Sequence, residues 1–200
     1  METIDTIDAL EALYGSPSEA AVVKVTDRLT RAYRAWIERS RFVVISTVGP
    51  EGVDGSPRGD AGPVVEIADA RTLLLPDWRG NNRIDTLRNI VRDSRVALMF
   101  FVAGSDNVIR VNGTAVVSAD PVLVGRFEQQ GKHPRTVVVV TIGEVYAQCA
   151  RALMRAALWS GEDLSGGLPT VGDMLADAKA GFDGETYDAG WAARAKGSLW

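Results

Sequence analysis

The sequence has one cysteine, Cys149, which excludes an intramolecular disulfide framework. It has one histidine, His133, so a His-rich metal site cannot be built within one chain. A Ser-His-Asp triad would have to rest on that residue alone. No segment approaches the run of about 20 apolar residues that spans a membrane. The N-terminus is acidic and lacks a positive region ahead of an apolar one, so a signal peptide is not expected. A cytoplasmic chain with no membrane partner is the expectation. A dense run of Lys and Arg is also missing, and the formal net charge is −4. Affinity for a polyanion comes mostly from clustered basic side chains, so nucleic acid is not an expected partner.

What is present is ordinary globular material. Hydrophobic residues make up 46% of the 200 positions and charged residues 24%. That length suits one domain with appendages and is enough to bury a sizeable core. The basic residues that do cluster, Arg79, Arg83, Arg88, Arg92 and Arg95, occupy one local segment. A small anionic ligand fits such a segment better than a long duplex.

The first 41 residues read as a helical extension. Ser16-Pro17-Ser18-Glu19 has the form of a capping box, with Pro17 suited to a first turn. Val22, Val25, Leu29, Tyr33, Trp36 and Ile37 then recur at three- and four-residue spacing, which predicts one apolar helix face. From Phe42 to Thr47 the run is β-branched, and Gly49-Pro50-Glu51-Gly52 is a turn. Val64 to Ile67, Thr72 to Leu75, Val96 to Val102, Val108 to Ser118 and Val137 to Ile142 also read as strands. Helices are predicted over Asn81 to Asp93, Pro121 to Gln130 and Glu144 to Trp159. A tail from residue 160 is Gly-rich and weakly helical around Val171 to Ala180. Six strands rarely separated by helices suggest a small, mainly β barrel with helices outside, not a doubly wound sheet. The expected division is 1–41 extension, 42–159 barrel and 160–200 tail.

Three pieces could carry chemistry. Ser56-Pro57-Arg58-Gly59-Asp60 combines a cation with small neighbours that let a ligand approach the backbone. An ordinary turn with a solvated arginine has the same composition. Pro76-Asp77-Trp78-Arg79-Gly80-Asn81-Asn82-Arg83 leads into the helix from Ile84. Asn is a favoured N-cap, and the free N–H groups and dipole of a helix start attract an anion. Arg79 and Arg83 would add charge, and a guanidinium can grip a phosphate with two hydrogen bonds. A capped helix with arginines in water is the competing reading. In Asn107 to Ala115, Arg110 and Asn112 share one strand face. They could line a site or simply meet solvent.

Taken together, the order strand, S-P-R-G-D, strand ending L-P-D, G-N-N-R opening a helix, strand, then I-R-V-N-G-T-A resembles the pyridoxamine 5′-phosphate oxidase-like, FMN-binding split-barrel superfamily. More narrowly it is similar to a subgroup of FMN-dependent proteins with S-P-[KR]-G-D, P-D-x-x-G-N-N-R and a late C-A-x-A-L-x-R-x-x-L-W, here Cys149 to Trp159. The resemblance covers roughly Arg34 to Trp159. It implies a six-stranded split barrel and a homodimer with FMN at the interface. It implies phosphate contacts from Arg58 with Gly59 and Asp60 beside it, and from Asn82 and Arg83, with Asn81 adding a contact. Leu75 and Pro76 would meet the flavin through their backbone. Trp78, Arg110 and Asn112 complete the expected cofactor set. The implied activity is FMN-dependent oxidation or reduction of a small molecule. No metal is implied and no catalytic residue is assigned, because the cofactor carries the electron chemistry. A C-terminal W…R-L segment like that of the oxidase itself has no convincing match in the tail, although Trp191, Arg194 and Trp200 are present. Two other readings stay open: a flavin-binding or sensing protein without turnover, and a deazaflavin or haem binder on the same barrel.

His133 lies in a predicted loop and is expected to be exposed, with substrate binding as the sharper alternative. Cys149 sits among alanines and is expected to be a buried small hydrophobe.

Overall fold

A computed structural model describes all 200 residues. The chain begins with three short helices: α1 (Ile7–Tyr14), α2 (Glu19–Val23) and α3 (Arg31–Ile37). Strands β1 (Phe42–Gly49), β2 (Gly52–Gly59), β3 (Glu66–Ile67) and β4 (Thr72–Asp77) follow, then helix α4 (Asp85–Arg92). Next come β5 (Arg95–Phe101), β6 (Val108–Ser118), the single turn α5 (Pro121–Val124) and β7 (Thr136–Gln148). The remainder is helical: α6 (Arg151–Arg155), α7 (Val171–Ala178), α8 (Gly184–Ala189) and α9 (Trp191–Ser198). None of these helices is long and apolar enough to cross a membrane.

The strands form one antiparallel sheet in the order β2-β1-β5-β6-β7-β4-β3. The sheet is open, with β2 and β3 at its edges, and fits the split-barrel class expected. Alternation along the strands sets its inside. Val43 and Ile45 of β1, Leu98 and Phe100 of β5, and Ile109 and Val111 of β6 are all at most 2% exposed. Leu73, Leu75, Val138 and Val140 close the core from β4 and β7. Each such buried side chain contributes about 1.5–3 kcal/mol through apolar area removed from water.

Seven strands stand where six were expected. The addition is β2, which carries the S-P-R-G-D stretch. Its Gly, Pro and Asp residues are poor strand formers, and none of it is buried. It forms because the Gly49-to-Gly52 turn folds it back along β1 from Gly49↔Gly52 to Phe42↔Gly59. As an edge strand it tolerates Pro57, which has no N–H to give. At the other edge, the Val64–Ile67 strand shortens to Glu66–Ile67.

The helices differ in extent. The predicted apolar face from Val22 to Ile37 is broken after α2, and Thr26 bridges to Val145 of β7. Thr30 then caps α3 by accepting from the Tyr33 N–H at 3.2 Å. Leu29, Tyr33, Trp36 and Ile37 pack on the core, whereas Val22 and Val25 are exposed. The helix expected from Glu144 to Trp159 is strand up to Gln148, because Glu144 to Gln148 pair with Asn112 to Val108 of β6. Pairing along both halves of a long β6 overrides the local helix preference of Glu, Ala and Gln. A register shift at Asn112/Gly113 makes this possible, and a Cβ on Gly113 would run into the Thr141 carbonyl. Helix α6 keeps only five residues. Cys149, expected inside, is exposed at the point where the chain leaves β7.

Helix α4 is fastened to the β1–β2 hairpin, and this fastening positions the site. The Asn89 Nδ2 donates to Thr47 Oγ1 at 3.1 Å, and a Cβ on Gly49 would collide with the Asn89 side chain. Thr86 Oγ1 donates to Asp54 at 2.7 Å, and Arg92 grips both Glu51 oxygens at 2.8 and 2.9 Å. The start of α4 is thereby held beside β2.

Candidate functional site

A cavity of about 620 Å³ lies between β2, the end of β4 and the loop that leads into α4. That size is within the ordinary range for small-molecule sites. Alternate residues of β2, namely Asp54, Ser56 and Arg58, line it from one side. Leu75, Pro76 and Trp78 form the back, and Arg79, Gly80, Asn81 and Arg83 form the loop wall. The lining holds three guanidiniums, Arg58, Arg79 and Arg83, against two carboxylates, Asp54 and Asp85.

Arg58 is the most confined cation. Its Nη1 meets Asp77 Oδ1 at 2.5 Å, with the side chains 24% and 16% exposed. Its Nε is buried and has no partner. A buried donor left unpaired costs free energy, so this guanidinium is held with part of its hydrogen-bonding capacity unused. Arg83 is far more open: it pairs through Nε with Asp85 at 2.8 Å and is 76% exposed. Arg79 has no carboxylate partner. Gly55 and Gly80 have nothing within 4 Å of where a Cβ would stand, so ligand atoms can come up to the backbone there.

The approach to α4 departs from the expected Asn cap. Asn81 Oδ1 accepts from the Arg83 N–H at 3.0 Å, which is a local turn and not a helix cap. The residue at the N-cap position is Ile84, with φ 53° and no side-chain hydrogen bond to the helix. Asn82 also has a positive φ, 61°. Left-handed backbone is costly for a β-branched residue, and strain of this kind gathers at ligand sites. The consequence is chemical: the first-turn amides of α4 have no side-chain acceptor, and they adjoin Arg83 at the cavity wall.

The expected cofactor residues divide into groups. Arg58, Gly59, Leu75, Pro76, Trp78, Asn81 and Arg83 are brought together around the one cavity. Asp60 stands behind it, accepting from Trp78 Nε1 at 2.8 Å and from Gln129 Nε2 at 3.0 Å, and so fixes the indole. Asn82 lines a smaller adjoining space with Arg58, Asp77 and Arg135. Arg110 and Asn112 lie elsewhere in the chain. The Arg110 guanidinium sits 5.3 Å from the Tyr146 ring centroid, with a buried and unpartnered Nε. Asn112 Nδ2 donates to Glu144 at 2.6 Å, and its buried Oδ1 has no partner. Asn112 lines a separate, open space beside Val53, Arg95 and Val96.

Asp54, Gly55, Thr86 and Leu199 join the site without having been expected there. For Asp54 a signal existed: Asp54, Ser56 and Arg58 have the period-2 polar spacing of a strand face after a hairpin turn. For Leu199 none existed. His133 is exposed as expected, with Nδ1 at 2.6 Å from the Phe127 carbonyl. It borders a neighbouring cavity with Arg79, Lys132, Arg135 and Trp200. No cluster of three His, Cys, Asp or Glu residues is placed to hold a metal ion.

The sequence profile of the family described as pyridoxamine 5′-phosphate oxidase matches residues 29–149. The chain belongs to this family. The match takes in all seven strands and α4, and therefore every cavity residue but Leu199. Among curated proteins no match is found. Of solved structures, HupZ from Group A Streptococcus is similar at 14% identity and a TM-score of 0.50, covering 60% of this chain and 93% of that one. A candidate pyridoxamine 5′-phosphate oxidase from Lactobacillus delbrueckii is 25% identical, with a TM-score of 0.49 over 60% and 95% of the two chains. An FMN-binding protein from Syntrophomonas wolfei is 16% identical, with a TM-score of 0.44 over 58% and 88%.

Proposed function

We propose that the protein binds FMN in the cavity between β2 and α4, holding it by its phosphate, and acts as an FMN-dependent oxidoreductase. The observation that carries this reading is the donor set of the cavity. Arg58, Arg79, Arg83 and the uncapped start of α4 converge on one space with glycine backbone exposed to it. Such a set suits a phosphate, which takes charge-assisted hydrogen bonds from guanidiniums and backbone amides alike. Family membership makes a flavin phosphate the natural occupant. The S-P-R-G-D and P-D-W-R-G-N-N-R motifs support placement in the FMN-dependent subgroup named above.

Each residue then has a role. Arg58 binds the phosphate and is kept in position by Asp77. Arg83 and Arg79 supply further charge at the mouth. Trp78, oriented by Asp60, walls the cavity with an aromatic surface. The backbone of Leu75 and Pro76 offers polar atoms to the ligand where their side chains are buried. A bound flavin would supply hydride transfer, and the protein would position it and exclude water. Arg110 and Asn112 are not part of the cavity lining within one chain. In the homodimer we propose, they reach the cofactor of the other subunit. The substrate is a small molecule. The histidine borders the neighbouring cavity and not this one, which favours a flavin over a histidine-ligated haem here.

The test is the absorbance spectrum of the purified protein, followed by identification of the released cofactor. Flavin bands and FMN in the supernatant are expected. A Soret band or a deazaflavin spectrum would replace FMN. Bleaching of the flavin bands by NADH or NADPH would support turnover, and failure with a panel of donors would favour binding without turnover.

A further inference from the structure

The tail beyond residue 160 is outside the family match, yet it returns to the cavity. Helices α7, α8 and α9 pack on one another: Thr170 and Asp173 form a capping box, and the Gly172 N–H donates to Asp188 at 2.9 Å. Arg194 sits over the Tyr187 ring at 4.4 Å. Past α9 the chain reaches the site. Leu199 lines the 620 Å³ cavity, across from β2 residues more than a hundred positions away in sequence. The Trp200 ring stands edge-on to Trp78, with centroids 5.3 Å apart and planes at 81°. This is a favourable geometry for an aromatic pair. Lys132 Nζ donates to the Trp200 carbonyl at 3.1 Å. Trp78 is itself fixed by Asp60, so the end of the tail rests on a rigid partner. Trp200 also borders the neighbouring basic cavity of Arg79, Lys132, His133 and Arg135. It therefore backs Trp78, which lines the larger cavity, while itself bordering the smaller one.

We propose that Leu199 and Trp200 form the closing wall of the ligand cavity, latched by Lys132, and that they govern how fast its ligand enters and leaves. The FMN reading above supplies the identity of the ligand, whereas the wall itself rests on the tail contacts. The attachment is one aromatic edge contact and one hydrogen bond from an exposed lysine. An attachment that light can open without unfolding the sheet, as lids over cofactor sites do. Because Leu199 is part of the lining, an open tail removes both a barrier and a contact.

The experiment uses the full chain in two arms. In the cofactor-free protein, the indole N–H resonance of Trp78 is followed by NMR in Trp200→Ala and Lys132→Ala. Loss of the neighbouring ring or of its latch should move that resonance in both variants. In the second arm, FMN is loaded and its release measured by stopped-flow fluorescence. Release should be about tenfold faster in Trp200→Ala, since changes at a binding surface act mostly on dissociation, and Trp200→Phe should restore slow release. An unmoved Trp78 resonance, or release within twofold of the wild type, overturns the wall. If the wild type takes up no FMN while the Trp78 resonance moves, the FMN reading fails and the wall stands.

Discussion

Replacing Arg83 with alanine should weaken FMN binding while leaving the fold intact. The side chain is 76% exposed, and its one carboxylate partner, Asp85, is 43% exposed at 2.8 Å. Exposed pairs of this kind contribute about 0–1 kcal/mol to stability. The same guanidinium lines the cavity beside the uncapped start of α4. A hydrogen bond to a charged ligand is worth about 1.5–3 kcal/mol, so the loss should lower affinity by about 10- to 150-fold. Titrating cofactor-free protein with FMN and following flavin fluorescence measures this, with thermal unfolding in parallel. Arg58→Ala is the contrasting case. It strips the partner from Asp77, which is only 16% exposed, so about 1–3 kcal/mol of stability should go with the affinity. Arg92→Ala serves as the control, since Arg92 is on α4 but grips Glu51 away from the cavity. Arg83→Ala binding FMN within twofold of the wild type would refute the phosphate role. A melting temperature falling in step with affinity would refute the separation of binding from folding.

Gly113→Ala should destabilise the protein by at least about 1–3 kcal/mol, the usual cost of overpacking, because the new methyl meets the Thr141 carbonyl in the β6–β7 bulge. An unchanged unfolding midpoint would contradict the bulge. Asp93 is held down to about 2 from its ordinary 3.8 by the Arg95 side chain and then by the Arg95 N–H. A depressed folded-state value gives stability that is full above the unfolded value and lost as pH falls through the folded one. Asp93→Asn should therefore be less stable than the wild type near neutral pH and should converge with it in acid unfolding near pH 2. A gap that persists below that pH would contradict the pairing. Cys149 should react with a thiol reagent in the native protein without prior unfolding, being exposed; protection until denaturation would contradict its placement.

Much of the sheet was legible because its central strands are apolar runs, rich in β-branched or aromatic residues, with alternate side chains buried. The Val108–Ser118 strand is found with the expected bounds, and Phe42, Val96 and Val137 begin or nearly begin their strands. The edge strand β2 was not legible from composition, since Gly-Ser-Pro-Arg-Gly lacks both β-branched residues and burial. Its pairing is imposed by the hairpin. The helix entry misled for a different reason. Two asparagines before a helix look like caps, but the chain spends Asn81 on a local turn and places Ile84 in a left-handed conformation. No local preference favours that choice; it is sustained by the fastening of α4 to β1 and β2 through Asn89 and Thr86. Cys149 looked buried among alanines only because that segment was read as helix. Arg58, Trp78 and Arg83 were legible as a group because cations, small residues and a helix start fell within 28 positions, Ser56 to Arg83. Leu199 was not, because its proximity exists only after the tail has folded back.

The central claim is that the cavity holds its ligand by a phosphate. Comparing FMN with riboflavin, which lacks only that group, tests it most directly in the cofactor-free protein. Two charge-assisted hydrogen bonds at about 1.5–3 kcal/mol each predict that FMN binds at least about 100-fold more tightly. Equal affinity for the two flavins would contradict the account.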